Sequence, residues 1–175
     1  MAKRMKQLEL PEPATHGGRR RGAGRKRGSG VQHLARPVHK KRFPLHVTVK
    51  FVPGLLSLRH WQVFDPIFEV IAQAARPGFS VVHFSVMGDH IHLIAEASDR
   101  DALSAAMRSF NTRIAQVVNR ALHRTGPVVA ERYHSRELRH RPEVRHVLVY
   151  VLLDWRKHFD KHNIDPHSNG PWFDG

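Results

Sequence analysis

Runs of alternating and helically spaced apolar residues divide the middle of the chain into six segments. Leu45–Val52 (LHVTVKFV) alternates imperfectly and is rich in β-branched residues, which predicts a strand ended by Pro53-Gly54. Arg59–Ala75 sets Trp61, Phe64, Phe68, Ile71, Ala72 and Ala75 at helical spacing. Pro66 is expected to open that helix proper, with Asp65 as its cap. Phe79–Met87 (FSVVHFSVM) and His90–Ala97 (HIHLIAEA) read as two strands with only Gly88-Asp89 between them. A two-residue loop with Gly first favours a type II′ hairpin turn. Arg100–His123, capped by Ser98 or Asp99, carries a helical stripe through Leu103, Ala106, Phe110, Ile114, Val117, Val118, Ala121 and Leu122. Thr125-Gly126-Pro127 stops it. A short strand is expected near Tyr133–Leu138, and a last helix over Pro142–Phe159.

The first five elements, with the hairpin counted as two strands, give the order β-α-β-β-α-β. That order predicts an α+β, ferredoxin-like fold: one antiparallel sheet with two helices on one face. The sixth segment is an extra C-terminal helix, able to cover part of the open sheet face. The chain is thus expected to divide into a basic tail over 1–42, a folded body over 43–159 and an irregular tail over 160–175. No internal repeat is visible.

Charge sharpens this division. The chain has 175 residues and a formal net charge of +14. Residues 1–42 hold thirteen Lys or Arg against two Glu, so most of the excess lies there and the body is an ordinary mixed-charge domain. The stretch Gly17–Gly30 (GGRRRGAGRKRGSG) has no apolar periodicity and cannot bury enough surface to offset the entropy of ordering. Arg19, Arg20, Arg21, Arg25, Lys26 and Arg27 on such a tail suit a polyphosphate, because each neutralised phosphate releases counterions. A solubility tail is the plainer alternative. An interfacial membrane helix would need an aromatic or leucine face, and the tail has none. No apolar run approaches the roughly 18 residues of a membrane span. The absence of cysteine excludes disulfide scaffolds, thiolate metal sites and cysteine nucleophiles. The basic N-terminus lacks the apolar region of a secretory signal.

Two clusters carry candidate chemistry. His90 and His92, at i and i+2 on a strand, share one face, while Ile91 and Leu93 turn to the other. Two neutral imidazoles side by side can begin a divalent-metal site, although a third ligand is needed. Fifteen histidines in the chain also make such a pair easy to reach by chance. On the last helix the apolar stripe is Val144, Val147, Leu148, Val151, Leu152 and Trp155. Tyr150 lies off its centre, with Asp154 one turn on and facing the same way. A phenol outside the packing seam with a carboxylate beside it suits a nucleophile next to a metal ligand. A half-buried tyrosine at the helix edge fits the same pattern. Tyr133, in RYHSRELR, is the rival tyrosine, and its strand position favours packing or contact with DNA backbone.

These residues resemble the single-tyrosine HUH transposases of bacterial insertion sequences, and most closely the REP-associated tyrosine transposases. The segments that carry the resemblance are FPLHVTVKF, VMGDHIHLIAEA with its His-hydrophobic-His motif, RYHSREL and YVLLDWRKH, spanning about Phe43 to His158. The resemblance implies a DNA endonuclease and strand transferase that cuts single-stranded DNA, usually beside a hairpin, with Mg²⁺ or Mn²⁺. It implies His90 and His92 as metal ligands and Tyr150 as the nucleophile that forms a 5′-phosphotyrosine. The family's third ligand is usually Gln or Asn four residues after the tyrosine; here that position is Asp154, an added negative charge. Arg108, Arg113, Arg132 and Arg136 are then expected DNA-backbone contacts. A cytoplasmic, nucleoid-associated location follows from the same resemblance. Family members include monomers and domain-swapped homodimers, and both stay open. The competing classes are a non-catalytic nucleic-acid binder of the same fold, degenerate or domesticated, and a metal-dependent hydrolase that uses water in place of Tyr150.

Overall fold

The computed structural model describes residues 38–158 and 165–172; the side chains of 154–158 and 172 are outside that description. The elements run β1 (Leu45–Lys50), α1 (Trp61–Ala72), β2 (Phe79–Val86), β3 (His90–Ala97), α2 (Arg100–Ala121), β4 (His134–Glu137) and α3 (Arg141–His158), followed by a single 3-10 turn, Gly170–Trp172. The sheet has the order β2-β3-β1-β4 with every neighbouring pair antiparallel. This is the expected ferredoxin-like arrangement with one further helix.

Alternation along the strands separates two faces. Leu45, Val47 and Val49 of β1 and Ile91, Leu93, Ala95 and Ala97 of β3 are buried on one side. There they meet Val63, Ile67 and Val70 of α1 and Leu103, Ala106, Met107, Phe110, Ile114 and Val118 of α2. Fully burying each larger aliphatic side chain contributes about 1.5–3 kcal/mol, so this layer holds most of the apolar stabilisation. The opposite face carries His46, Thr48, His90, His92 and Ile94. A second, smaller cluster forms there from Ile94, Leu138, Val147 and Val151, with Val144 and Leu148 packed around it. It docks α3 on the open face.

Local details differ from expectation where neighbours override sequence. Helix α1 begins at Trp61 with the His60 side chain as its cap, and Pro66 lies inside it. The buried stripe is Val63, Ile67, Val70 and Ile71, so the expected stripe was mis-centred: Trp61 is 68% exposed. Asp99 is the cap of α2, accepting hydrogen bonds from the amides of Asp101 and Ala102, both at 2.8 Å. The β2–β3 hairpin closes with Met87 N donating to His90 O at 2.9 Å. Gly88 has no positive φ, so the turn is not type II′. The turn is gripped from outside instead: Leu58 N donates to Gly88 O and Phe51 N to Asp89 O, both at 2.9 Å.

The expected irregular tail is, over residues 165–172, a docked segment. Val86 N donates to His167 O, Phe84 N to Asn169 Oδ1 and Asn169 N to Phe84 O. The outer edge of β2 is thereby capped, which removes a row of unpaired backbone groups. The segment is fastened by Asp165, whose carboxylate takes two hydrogen bonds from Arg59 at 2.7 and 3.1 Å and is fully shielded from solvent. Burial alone would raise its pKa; the hydrogen bonds from His167 and Arg59 more than reverse this and leave it lowered. A carboxylate with a depressed folded pKa contributes stability above its unfolded pKa and loses it as pH falls through the folded value. Removing the partner should be costly, because an uncompensated buried charge remains. Arg59→Ala should lower unfolding stability by about 3–5 kcal/mol. Urea denaturation should show the loss at pH 7 and a shrinking difference from wild type well below pH 4. An unchanged transition midpoint at pH 7 would refute the role of this pair.

Candidate functional site

The register of the sheet assembles the site. In an antiparallel pair, directly opposed residues share a face. Lys50 opposes His90 and Thr48 opposes His92 across β1 and β3. His46 opposes Ile94 of β3 and, on its other side, Arg136 of β4; Thr48 likewise opposes His134. The open face therefore gathers His46, Thr48, His90 and His92, flanked by Lys50, His134 and Arg136.

Helix α3 brings Tyr150 onto this group. Its ring centroid lies 5.2 Å from that of His92 and 6.2 Å from that of His46, edge-on to both. The tyrosine is 39% exposed, so the phenol is not sealed in the interior. Tyr133 has the opposite environment. It is 8% exposed and belongs to the main core, on the far side of the sheet's function-bearing face. It is a packing residue.

The imidazoles form a short chain. His90 Nε2 and His92 Nε2 are 3.0 Å apart. Two bare lone pairs would repel at that separation, so a proton or a cation must be shared between them. Two ligands about 2.1 Å from a metal and at right angles to each other are themselves about 3.0 Å apart. The pair fits a cis ligand set. On the outer side, His90 Nδ1 meets Asp89 Oδ1 at 2.6 Å. His92 Nδ1 meets His46 Nε2 at 3.1 Å and Thr48 Oγ1 at 3.3 Å. Each candidate ligand thus has a partner on its second nitrogen, the arrangement that orients metal-bound histidines.

Electrostatics keep His46 and His92 uncharged. Desolvation, reinforced by His90 and His46, lowers the His92 pKa to about 3. Desolvation, then Arg136 and His134, lowers that of His46 to about 4. Both rings are neutral at pH 7 and present lone pairs. The hydrogen bond to His90 is the main cause of the lowered pKa of Asp89, which stays ionised.

The remaining expected site residues divide by face. Asp154 follows Tyr150 by one turn in α3, and its side chain lies outside the described residues, as do Arg19, Arg20, Arg21, Arg25, Lys26 and Arg27. Among the described residues, no group of three His, Asp or Glu side chains is placed to hold an ion. Arg136 shares the open face and pairs with Glu143 at 2.9 Å. Arg132 is exposed just before β4. Arg108 and Arg113 lie on α2, which packs against the other face of the sheet. Arg113 there binds the C-terminal end of α1 through Gln73 O at 3.2 Å and Gln73 Oε1 at 2.6 Å. These two arginines are remote from the imidazoles. Lys50, His46 and Thr48 were not anticipated. Alternation in LHVTVK carried the signal, since Val47 and Val49 facing the core oblige His46, Thr48 and Lys50 to face away.

Comparison with known proteins agrees with the fold. The structure of a REP-associated tyrosine transposase bound to a REP hairpin superposes with a TM-score of 0.61 at 19% identity, over 79% of this chain and 82% of that one. At this identity the likeness establishes the fold. A crystal structure from Deinococcus radiodurans, provisionally described as a transposase, aligns over 70% of this chain and 95% of that one at 15% identity; its TM-score of 0.46 is too low to support an argument. No family model and no curated protein matches the chain.

The two tyrosines should separate in stability measurements. Tyr133→Ala should cost about 3–5 kcal/mol, as for other large aromatic truncations in a core. Tyr150→Phe should stay within about 0.5 kcal/mol of wild type. Chemical denaturation of both variants checks this, and equal losses would contradict the assigned environments.

Proposed function

We propose that this chain is a transposase-like DNA endonuclease and strand transferase that cuts and rejoins single-stranded DNA through Tyr150. The observation that carries the reading is the meeting of Tyr150 with His92 on the open sheet face, 5.2 Å between ring centroids. The likeness in fold to a hairpin-bound transposase supports it. His90 and His92, with Asp154 as a third donor, would hold Mg²⁺ or Mn²⁺. Such an ion supplies charge stabilisation to a phosphodiester undergoing displacement.

Tyr150 provides the nucleophile. Its phenolic oxygen forms a bond to phosphorus while the bond from phosphorus to the 3′-oxygen breaks. The phenolic proton leaves, and the departing 3′-oxygen ends as a hydroxyl. The product is a 5′-phosphotyrosine, whose phosphodiester keeps the bond energy, so a second 3′-hydroxyl can rejoin by the reverse displacement. Arg136 and Lys50 flank the site on the same face and would position the DNA backbone, a role that carries no sequence information. The residues of the basic tail would add salt-dependent, nonspecific affinity. No described helix is long and apolar enough to cross a membrane. Substrate of this kind places the protein with chromosomal DNA.

A second reading is a non-catalytic nucleic-acid binder of the same fold. It is favoured by Asp154, which sets a negative charge where the resembled family usually has Gln or Asn. The two readings part in one experiment. The protein is incubated with Mg²⁺ or Mn²⁺ and labelled single-stranded DNA drawn from the flanks of its own gene and containing a hairpin. A covalent adduct should form with wild type and with Tyr133→Phe, and should fall below detection with Tyr150→Phe. His92→Ala should reduce it by at least about a hundredfold, the scale of a lost metal or general catalytic group. Binding without adduct in wild type would leave the non-catalytic reading. Cleavage that survives Tyr150→Phe would mean that water, and not the tyrosine, attacks.

A further inference from the structure

We propose that a cavity at the β4 edge of the sheet takes an unpaired guanine nucleotide, read by Glu137, beside the phosphate that Tyr150 attacks. The place beside that phosphate rests on the reading above; the guanine site does not. The cavity has a volume of about 390 Å³. That is enough for a small ligand. Leu45 of β1 and Leu103 of α2, both buried, give it an apolar wall. Arg100, Arg136 and Arg139 line it as well. An apolar wall suits the flat face of a base, and guanidinium groups suit a phosphate. Arg136 is already ion-paired with Glu143, and Arg139 with Glu137. The cavity therefore fits a whole nucleotide better than a bare phosphate.

Glu137 is the group that selects. Its side chain is 11% exposed. Lys40 N donates to Oε1 at 2.7 Å and Arg139 Nε to Oε2 at 2.9 Å, which fixes the plane of the carboxylate. An ionised carboxylate has about four acceptor sites and no donor. Among the described residues these bonds leave one site on each oxygen. A reader of this kind takes only donors. Guanine is the DNA base with two adjacent donors on its Watson–Crick edge, N1–H and the 2-amino group. Adenine and cytosine set an acceptor nitrogen beside their amino group, and thymine flanks N3–H with two carbonyls. Each of these would turn a lone pair toward Glu137.

The cavity adjoins the imidazole cluster. Arg136 opposes His46 across β4 and β1, an antiparallel pairing that sets Cα atoms about 4.5–5.5 Å apart. The His46 ring lies 5.2 Å from that of His92 and 6.2 Å from that of Tyr150. A strand whose phosphate meets Tyr150 thus reaches the cavity with a neighbouring nucleotide.

The test uses the full chain and labelled oligothymidylate with one central position varied. Guanine there should tighten binding about 5–150-fold, the discrimination given by one good bidentate pair. Hypoxanthine, which keeps N1–H and lacks the amino group, should give only part of that gain. Glu137→Gln should abolish the preference and leave affinity for plain oligothymidylate unchanged. Equal binding of guanine and thymine by wild type would overturn the proposal. So would a Glu137→Gln protein that keeps the preference. If the Gln variant does not fold, wild type decides by nuclear magnetic resonance. Deoxyguanosine monophosphate should shift the Ser135 amide and the Leu103 methyl groups, and thymidine monophosphate should not. No shift at these positions counts against the site. If wild type binds no oligonucleotide, the transposase reading fails, and the same titration still decides whether the cavity takes guanine.

Discussion

The period-two alternation of β1 and β3, locked by their mutual register, is the constraint from which the site follows. Each strand presents aliphatic residues to the helices on one face and polar, ring-bearing residues to the other. Ile91, Leu93 and Ala95 are fully buried, as are Val47 and Val49 opposite them. A slip of one residue would put His90 and His92 into the aliphatic layer and expel Ile91 and Leu93 from it. β3 is paired on both sides, to β1 and β2, so such a slip would break two ladders at once. The imidazole geometry is therefore held by the hydrophobic core on the far side of the sheet, not by the histidines themselves.

That arrangement couples two electrostatic requirements. Lys50 and Arg136 place cations on the open face. Arg136 and His134 disfavour a proton on His46. Arg136 thus sets a positive charge on that face and disfavours a proton on His46. Desolvation under α3 is the larger influence on both His46 and His92. The final helix thus does more than carry a tyrosine, because its packing strips water from the cluster it covers.

Much of this was readable from the residues alone, and the failures have physical causes. The hairpin, α2 and the HIH face were visible because long, regular apolar patterns leave few alternatives. The α1 stripe was misjudged because aromatic residues drew the seam toward Trp61, whereas Val63, Ile67 and Val70 fill the layer. The hairpin turn was misassigned because its backbone groups are claimed by Leu58 and Phe51, partners remote from the Gly-Asp pair itself. Arg108 and Arg113 lie away from the histidines for a reason the topology already contains. Both crossover helices of this fold lie on one face, and the histidines must then lie on the other. His46 went unnoticed because its partner is set by cross-strand register, which a single strand's sequence does not encode. The docking of residues 165–172 on β2 depends on Arg59, more than a hundred residues earlier, and has no local signature.

The rotational setting of α3 decides whether Tyr150 can be both close to the imidazoles and open to solvent. Val147 and Val151, one turn apart, are buried against Ile94 and Leu138 and fix the seam. At roughly 100° per residue, Val151 lies about 40° from Val147, and Tyr150 lies to one side of both, about 60° from Val147 and about 100° from Val151. It cannot fall into the seam without displacing one of them. The start of the helix is held separately: Glu143 accepts a hydrogen bond from Arg139 N at 2.9 Å and pairs with Arg136 on β4. With its first turn tied to the sheet edge and its middle turn packed on Ile94, α3 has no freedom to roll. The phenol is left at the boundary, its ring against His92 and its remaining surface in water. The proposed attack on a phosphodiester arriving from solvent would require that position.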